Sequence, residues 1–242
     1  MKLNKLNLLI AATLIVFSTT LKAQDFIAGF GGGGATFGMN STKNFNQTII
    51  KSLPFQPVIK DNFPPWVFSR IDLLFFFPKN MAFGYTVSST STGSRMTLSD
   101  YSGKYTFDNV QQGIFPGIKL LFGKNPMQTN GMNVSFEAGV SLSSMKIKED
   151  LTLSGESTKD ESNLKAMGIF LQPGVNYIRV LNAKIRLSAD LSYYFGIEKG
   201  YHSPGNKDAR LINPDSHEPV KPQWDGIRIG VTLYYSFKKT IK

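Results

Sequence analysis

Apolar and polar residues alternate through most of this chain, and the period is two. Over residues 226–237, Ile227, Ile229, Val231, Leu233, Tyr235 and Phe237 share one parity, with Arg228, Gly230, Thr232, Tyr234 and Ser236 on the other. Successive side chains of a strand point to opposite faces, so this pattern predicts a strand with one apolar and one mostly polar face. The same reading predicts strands over 184–196, 167–177 and 132–143, whose apolar faces run from Ile185 to Phe195, Met167 to Tyr177 and Met132 to Leu142. Shorter alternating runs place strands over 114–122, 80–89 and 67–77, and an eighth is placed near 25–39 on count and position, since its glycines leave no clean parity. Pro116 and Pro173 fall on apolar faces. Proline cannot donate to a ladder, so a bulge or a local gap is expected at each.

Strands of about 10 to 14 residues exceed the five or six usual in soluble sheets and meet the roughly 9 to 11 a membrane strand needs. The connections alternate in length: 78–79, 123–131 and 181–183 are short, whereas 40–65, 90–113, 145–163 and 197–223 are long. Phe77, Phe122, Tyr177, Tyr235 and Phe237 lie on the apolar face where a strand meets a short turn or the C-terminus, as one interfacial girdle would require. A soluble β-sandwich also alternates but explains neither strand length, loop asymmetry nor girdle. The predicted fold is all-β: an eight-stranded antiparallel up-and-down transmembrane β-barrel, with both ends of the chain periplasmic and four long loops outside.

At this point the chain resembles the small Gram-negative outer-membrane β-barrel domains, OmpA/OmpX-like in architecture, with PorT-type barrels as a variant. The terminal run GIRIGVTLYYSF looks like their C-terminal assembly signal, with Phe237 as the terminal aromatic and five further residues, 238–242, as a departure. The resemblance implies insertion by the outer-membrane assembly machinery and implies no substrate.

Residues 1–24 add an address. Lys2 and Lys5 precede an apolar run from Leu8 to Phe17, and Ala23 precedes Gln24, the pattern of a cleaved signal peptide ahead of a barrel domain over 25–242. Its removal takes three lysines and leaves 24 basic against 17 acidic residues, a net +7. With no cysteine, disulfide scaffolds, thiolate metal sites and cysteine nucleophiles are excluded.

Seven charges fall on polar strand faces: Arg70, Asp72, Lys119, Glu137, Arg186, Asp190 and Arg228. An eight-stranded interior is just wide enough for side chains to fill it, and charges buried there must be paired. They are expected to form a salt-bridged structural plug rather than a gated ion path. Lysines of the long loops, such as Lys60, Lys104, Lys199 and Lys207, suit lipopolysaccharide phosphates better than nucleic acid.

Other motifs carry less. The run from Gly29 to Gly34 matches G-x-G-x-x-G but has no helix after it, so a closely packed first strand is expected rather than a dinucleotide site. His202 and His217 lack carboxylate or cysteine support at ligand spacing. Tyr201-His202-Ser203 invites comparison with outer-membrane lipid deacylases, whose His and Ser lie two apart on one face, whereas His202 and Ser203 are adjacent. No catalytic, cofactor or metal site is expected. The expected role is structural or interaction-based, with outer-membrane lipids, the assembly machinery and an envelope protein as partners. A narrow transport channel, a barrel subunit of a secretion or assembly complex and a lipid-modifying enzyme remain as alternatives.

Overall fold

A computed structural model describes residues 26–55, 57–77, 80–99, 101, 103–153 and 156–237. The expected signal peptide, the tail at 238–242 and the Phe77 side chain lie outside the described parts. In chain order the elements are β1 (Phe26–Ala35), α1 (Asn40–Ser52), β2 (Val58–Asn62), β3 (Trp66–Phe77), β4 (Met81–Ser99) and β5 (Gly103–Phe122). They continue with β6 (Gly131–Leu153), β7 (Glu156–Val180), β8 (Ile185–Glu198), β9 (His202–Ser203), β10 (Asn206–Arg210) and β11 (Gly226–Ser236). Eight of these strands form the predicted ring. β1 pairs with β3, and β3 through β8 pair in sequence. β8 pairs with β11, and β11 returns to β1 with Gly33 opposite Gly230. Every pairing is antiparallel.

The ring's outward band is apolar, with Ile227, Ile229, Val231 and Leu233 exposed on β11, while its interior holds the opposite parity. The prolines leave gaps rather than bulges. Pairing of β5 with β6 stops after Ile114↔Leu142 and resumes at Gly117↔Gly139 without a shift of register. That of β7 with β8 breaks likewise between Leu171↔Phe195 and Gly174↔Ser192.

The first strand has a parity after all: Ile27, Gly29 and Ala35 face inward and are buried. A Cβ on Gly29 would lie 2.4 Å from the Tyr234 ring, and one on Gly33 1.9 Å from the Ile229 carbonyl oxygen. Glycine is required there by close approach, not by flexibility.

Two expected long loops are not loops. Strands β4 to β7 run for 19, 20, 23 and 25 residues, so 90–113 and 145–163 are mostly the arms of two long hairpins. Their alternation does not stop at the edge of the apolar band; its sense inverts. Inward residues of β4 are polar from Thr86 to Ser94 and then apolar at Met96 and Leu98, while outward residues pass from Val87 to Arg95. On the outward face the change falls at one level across β5, β6 and β7, and one pair earlier on β4, where Ser89 already stands opposite Ile114. Ile114 pairs with Leu142 and Leu142 with Met167, all apolar and outward, whereas the next outward pairs are Gln112 with Ser144 and Ser144 with Lys165.

Beyond that level the arms enclose an ordinary apolar core. Helix α1 packs Phe45 into it against Met96, Tyr105, Phe107, Met145 and Tyr201. The remaining two long segments therefore fold as well: 40–65 supplies α1 and β2, and 197–223 supplies β9 and β10. The N-terminus of α1, which carries no side-chain cap of its own, is satisfied from afar: Ser41 N donates to Gln223 Oε1 at 2.7 Å. The ring thus has a cap end, built from α1 and the arms, and a turn end, where the short connections and the last strand meet.

Candidate functional site

Alternation carries Arg70 and Asp72 inward from β3, Lys119 from β5, Glu137 from β6 and Asp190 from β8, and the register brings these five together in the lumen. The Arg70 guanidinium lies 3.2 Å from Glu137, 3.5 Å from Asp190 and 4.0 Å from Asp72. Lys119 Nζ bridges Asp72 at 3.0 Å and Glu137 at 3.2 Å. Asp72 also accepts from Thr86 Oγ1 at 2.7 Å and from the Tyr234 hydroxyl. Arg70, Asp72 and Lys119 are at most 1% exposed, so the lumen is filled at this level. Each carboxylate in the cluster has a cation at hand, which is what burial of charge demands.

The other two inward charges stand apart from that cluster. Arg186, near the turn end, donates through Nε to the backbone carbonyl of Met127. Met127 belongs to the 123–130 connection, has φ 66°, and is fully buried among Ile27, Leu74, Phe76, Leu121 and Ile178. This connection folds into the ring and stops its turn end with apolar side chains. Arg228 is held by aromatic faces instead: its guanidinium carbon lies 4.3 Å from the Tyr194 ring centroid, 4.8 Å from Phe115 and 5.8 Å from Phe68. Cation–π attraction of this kind is strongest where water is excluded. Arg228 Nη1 also donates to Ser88 Oγ at 3.4 Å. The same aromatic cluster includes Phe37, Phe170 and Trp224, and Trp224 Nε1 donates to Ser143 Oγ at 2.8 Å.

Above the aromatics the cap is tied down by a polar relay. Burial and nearby Glu198 hold the Tyr201 hydroxyl well above the ordinary tyrosine range, so it remains a neutral donor to Gln111 Oε1 at 2.7 Å. Gln111 Nε2 donates in turn to Thr42 Oγ1 of α1 at 2.9 Å. Asn46 donates to Ser94 Oγ and accepts from Asn109, and Thr48 Oγ1 donates to Asp215 at 2.9 Å.

On the outer surface Phe122, Tyr177, Tyr235 and Phe237 are exposed near the turn end. Phe26 stacks on Phe237 at 4.8 Å and Phe237 meets Tyr235 at 4.9 Å. Toward the cap end, Trp66, Tyr193 and Phe195 are exposed as a second aromatic set.

His202 and Ser203 are adjacent in β9, and His202 Nδ1 has no hydrogen-bond partner among the described residues. The described residues contain no group of three metal-ligating side chains. The glycine run is strand β1 from end to end.

Sequence reasoning missed Tyr234 and Glu198. Tyr234 has the inward parity of its strand, which is the available signal; Glu198 falls in the expected 197–223 loop, yet its Oε1 accepts from inward-facing Ser141 at 2.9 Å.

No protein-family model matches the chain, and no curated protein matches it in sequence. Among solved structures it is similar to OprG, an outer membrane protein of Pseudomonas aeruginosa (13% identity, TM-score 0.40, covering 90% of this chain and 98% of that one). It is also similar to Ail, the attachment invasion locus protein of Yersinia pestis (10%, TM-score 0.36, 88% and 99%), and to Neisserial surface protein A (9%, TM-score 0.32, 87% and 96%). On its own pairings and outward apolar band, the chain is an eight-stranded antiparallel transmembrane β-barrel.

Proposed function

We propose that this chain is an integral outer-membrane protein with a blocked lumen, not an enzyme, whose role is structural or interaction-based and is exercised by the folded cap it presents outside the cell. The observation that carries the proposal is the inversion of polarity part-way along β4 to β7, at one level on β5 to β7 and one pair earlier on β4. Below that level the outward face is apolar and the inward face polar, as a bilayer demands; above it the outward face is charged and the core apolar, as water demands. The blocked lumen is supported by the Met127 stopper, the five-charge cluster and the aromatic cage around Arg228, which occupy the interior in succession.

In this orientation the turn end faces the periplasm. The natural chain has no cysteine, so single cysteines test it cleanly. In intact cells a membrane-impermeant maleimide should label Tyr101→Cys, at the fully exposed tip between β4 and β5, and should reach Asn182→Cys only after the outer membrane is breached. Labelling of Asn182→Cys alone in sealed cells would reverse the orientation.

A further inference from the structure

Four cations, Lys199, Lys207, Arg210 and Lys221, line a single cleft of about 560 Å³ at the cap end, together with His202 and Met167. They come from separate places, the end of β8, β10 and the segment before β11, so the cleft is built by the fold of 197–223 rather than by a run of basic sequence. Elsewhere on the cap, three exposed cations sit on acids, Arg95 on Asp108 at 2.6 Å, Lys146 on Glu161 at 2.6 Å and Lys159 on Asp150 at 3.5 Å, and the cleft that holds Lys60, Lys104 and Lys148 also holds Asp61, Asp108 and Asp150. Among the described residues none of the four cleft cations has such a partner. The one acid in the lining, Glu198, is turned to the lumen and bonded to Ser141. His202 Nδ1, shielded from solvent, is a further unbonded polar atom in the lining. Clustered like charges in a concave wall focus a positive potential that an anion relieves, and the volume suits a sugar phosphate.

The position of the cleft selects the source of that anion. Met167 is the last outward apolar residue of β7 before the polarity inverts, and Lys199 N donates to its carbonyl oxygen at 3.1 Å. The cleft therefore opens at the edge of the lipid-facing band, at headgroup height.

We infer that this cleft binds the phosphate groups of a phosphorylated glycolipid headgroup, lipopolysaccharide in the outer leaflet, and clamps that lipid against the barrel wall at β7 and β8. The inference rests on the orientation proposed above. It is tested with the whole protein folded in detergent micelles, titrated with lipopolysaccharide bearing both lipid A phosphates, with the same lipopolysaccharide after phosphatase treatment, with glucose 1-phosphate and with a soluble sulfated polysaccharide. Lys207→Gln/Arg210→Gln should weaken binding of the phosphorylated lipid about tenfold or more, since charge-assisted contacts are lost. Lys60→Gln/Lys104→Gln removes the same charge from a cleft on another part of the cap and should change affinity less than twofold. Dephosphorylation should weaken wild-type binding to the level of the cleft variant.

Equal losses in the two double variants would reduce the effect to diffuse attraction and overturn the clamp. So would binding that survives dephosphorylation. Affinity for glucose 1-phosphate equal to that for lipopolysaccharide would move the ligand into solution, and tighter binding of the sulfated polysaccharide would make the cleft a glycan receptor; either result overturns the lipid assignment. Cysteine labelling separates the two levels of failure: normal labelling with no phosphate dependence sinks the clamp alone, whereas reversed labelling sinks the orientation with it.

Discussion

Consider Lys119→Met. The ammonium lies 3.0 Å from Asp72 and 3.2 Å from Glu137, with all three side chains buried. At an effective dielectric near 20, each contact is worth about 5 kcal/mol of attraction before desolvation is counted. Much of that attraction offsets the cost of taking the charge out of water, so the intact arrangement is only modestly favourable. The variant regains the ammonium's desolvation cost but leaves Asp72 and Glu137 with Arg70 as their common cation, and Arg70 already serves Asp190. Breaking a buried pair in this way costs about 3–5 kcal/mol. Adding Asp72→Asn removes the stranded charge, so the double variant should lose about 1–3 kcal/mol less than the two single losses combined. The assay is urea unfolding of the barrel in lipid vesicles, followed by the fluorescence of Trp224, which is buried beside the aromatic cage, and checked by heat-modifiable gel mobility. As an internal comparison, Lys146→Met breaks an ion pair of similar length on the open surface, and should leave the unfolding midpoint where it is. A Lys119→Met loss below about 1 kcal/mol, or strict additivity in the double variant, would mean that the cluster is not a coupled unit.

Three further outcomes are expected. Leu191→Arg puts a charge on an outward position of β8 and should cost about 2–4 kcal/mol if it lies near mid-bilayer, while Ser192→Ala, one residue on, removes an inward acceptor of Gln172 Nε2 and should cost about 1 kcal/mol; equal effects in the unfolding assay would put the parity in error. Reconstituted protein should show no steady porin-sized conductance in planar bilayers, and a stable open pore would contradict the blocked lumen. Deleting 235–242 removes the pairs Tyr235↔Ala28 and Ser236↔Ile27 and the Phe237 stack on Phe26, and should abolish the heat-modifiable species, whereas deleting 238–242 should leave it intact.

Much of this architecture was legible because alternation is a local consequence of the strand backbone. The inward parity of Arg70, Asp72, Lys119, Glu137, Arg186, Asp190 and Arg228 followed from it, and all seven are buried. Which of them meet did not, because contact across a barrel depends on the stagger of every ladder in between. Five converge, while Arg186 goes to a backbone carbonyl and Arg228 to aromatic rings. The hairpin arms are hidden in the sequence because the parity of their apolar face changes along each strand. On β5 the outward Ile114 to Phe122 are even-numbered, whereas the apolar residues of the arm, Tyr105 and Phe107, are odd. Helix α1 is hidden for a different reason: it buries Thr42, Asn46 and Thr48 through hydrogen bonds, and only Phe45, Ile49 and Ile50 carry it against the apolar core, so polar residues interrupt the apolar period of its inner face.

The inversion makes register the quantity this fold has to protect. A slip of one residue on any of β4 to β7 would turn the lumen polar face toward lipid and the arms' apolar face toward water at the same time. Neither face alone specifies the register with such force, since an apolar band tolerates a slip of two residues with little penalty. The charge cluster removes that freedom. It draws on β3, β5, β6 and β8, and Tyr234 adds β11 through its hydroxyl on Asp72. A two-residue slip carries a cation about 7 Å along its strand, out of reach of its carboxylate. Gly29 then sets the seam between the first and last strands, because only a residue without Cβ lets the Tyr234 ring lie across β1 and reach that carboxylate. The buried ions, which add little to stability while intact, therefore do their work as a register lock, holding the apolar band and the folded cap each in its own solvent.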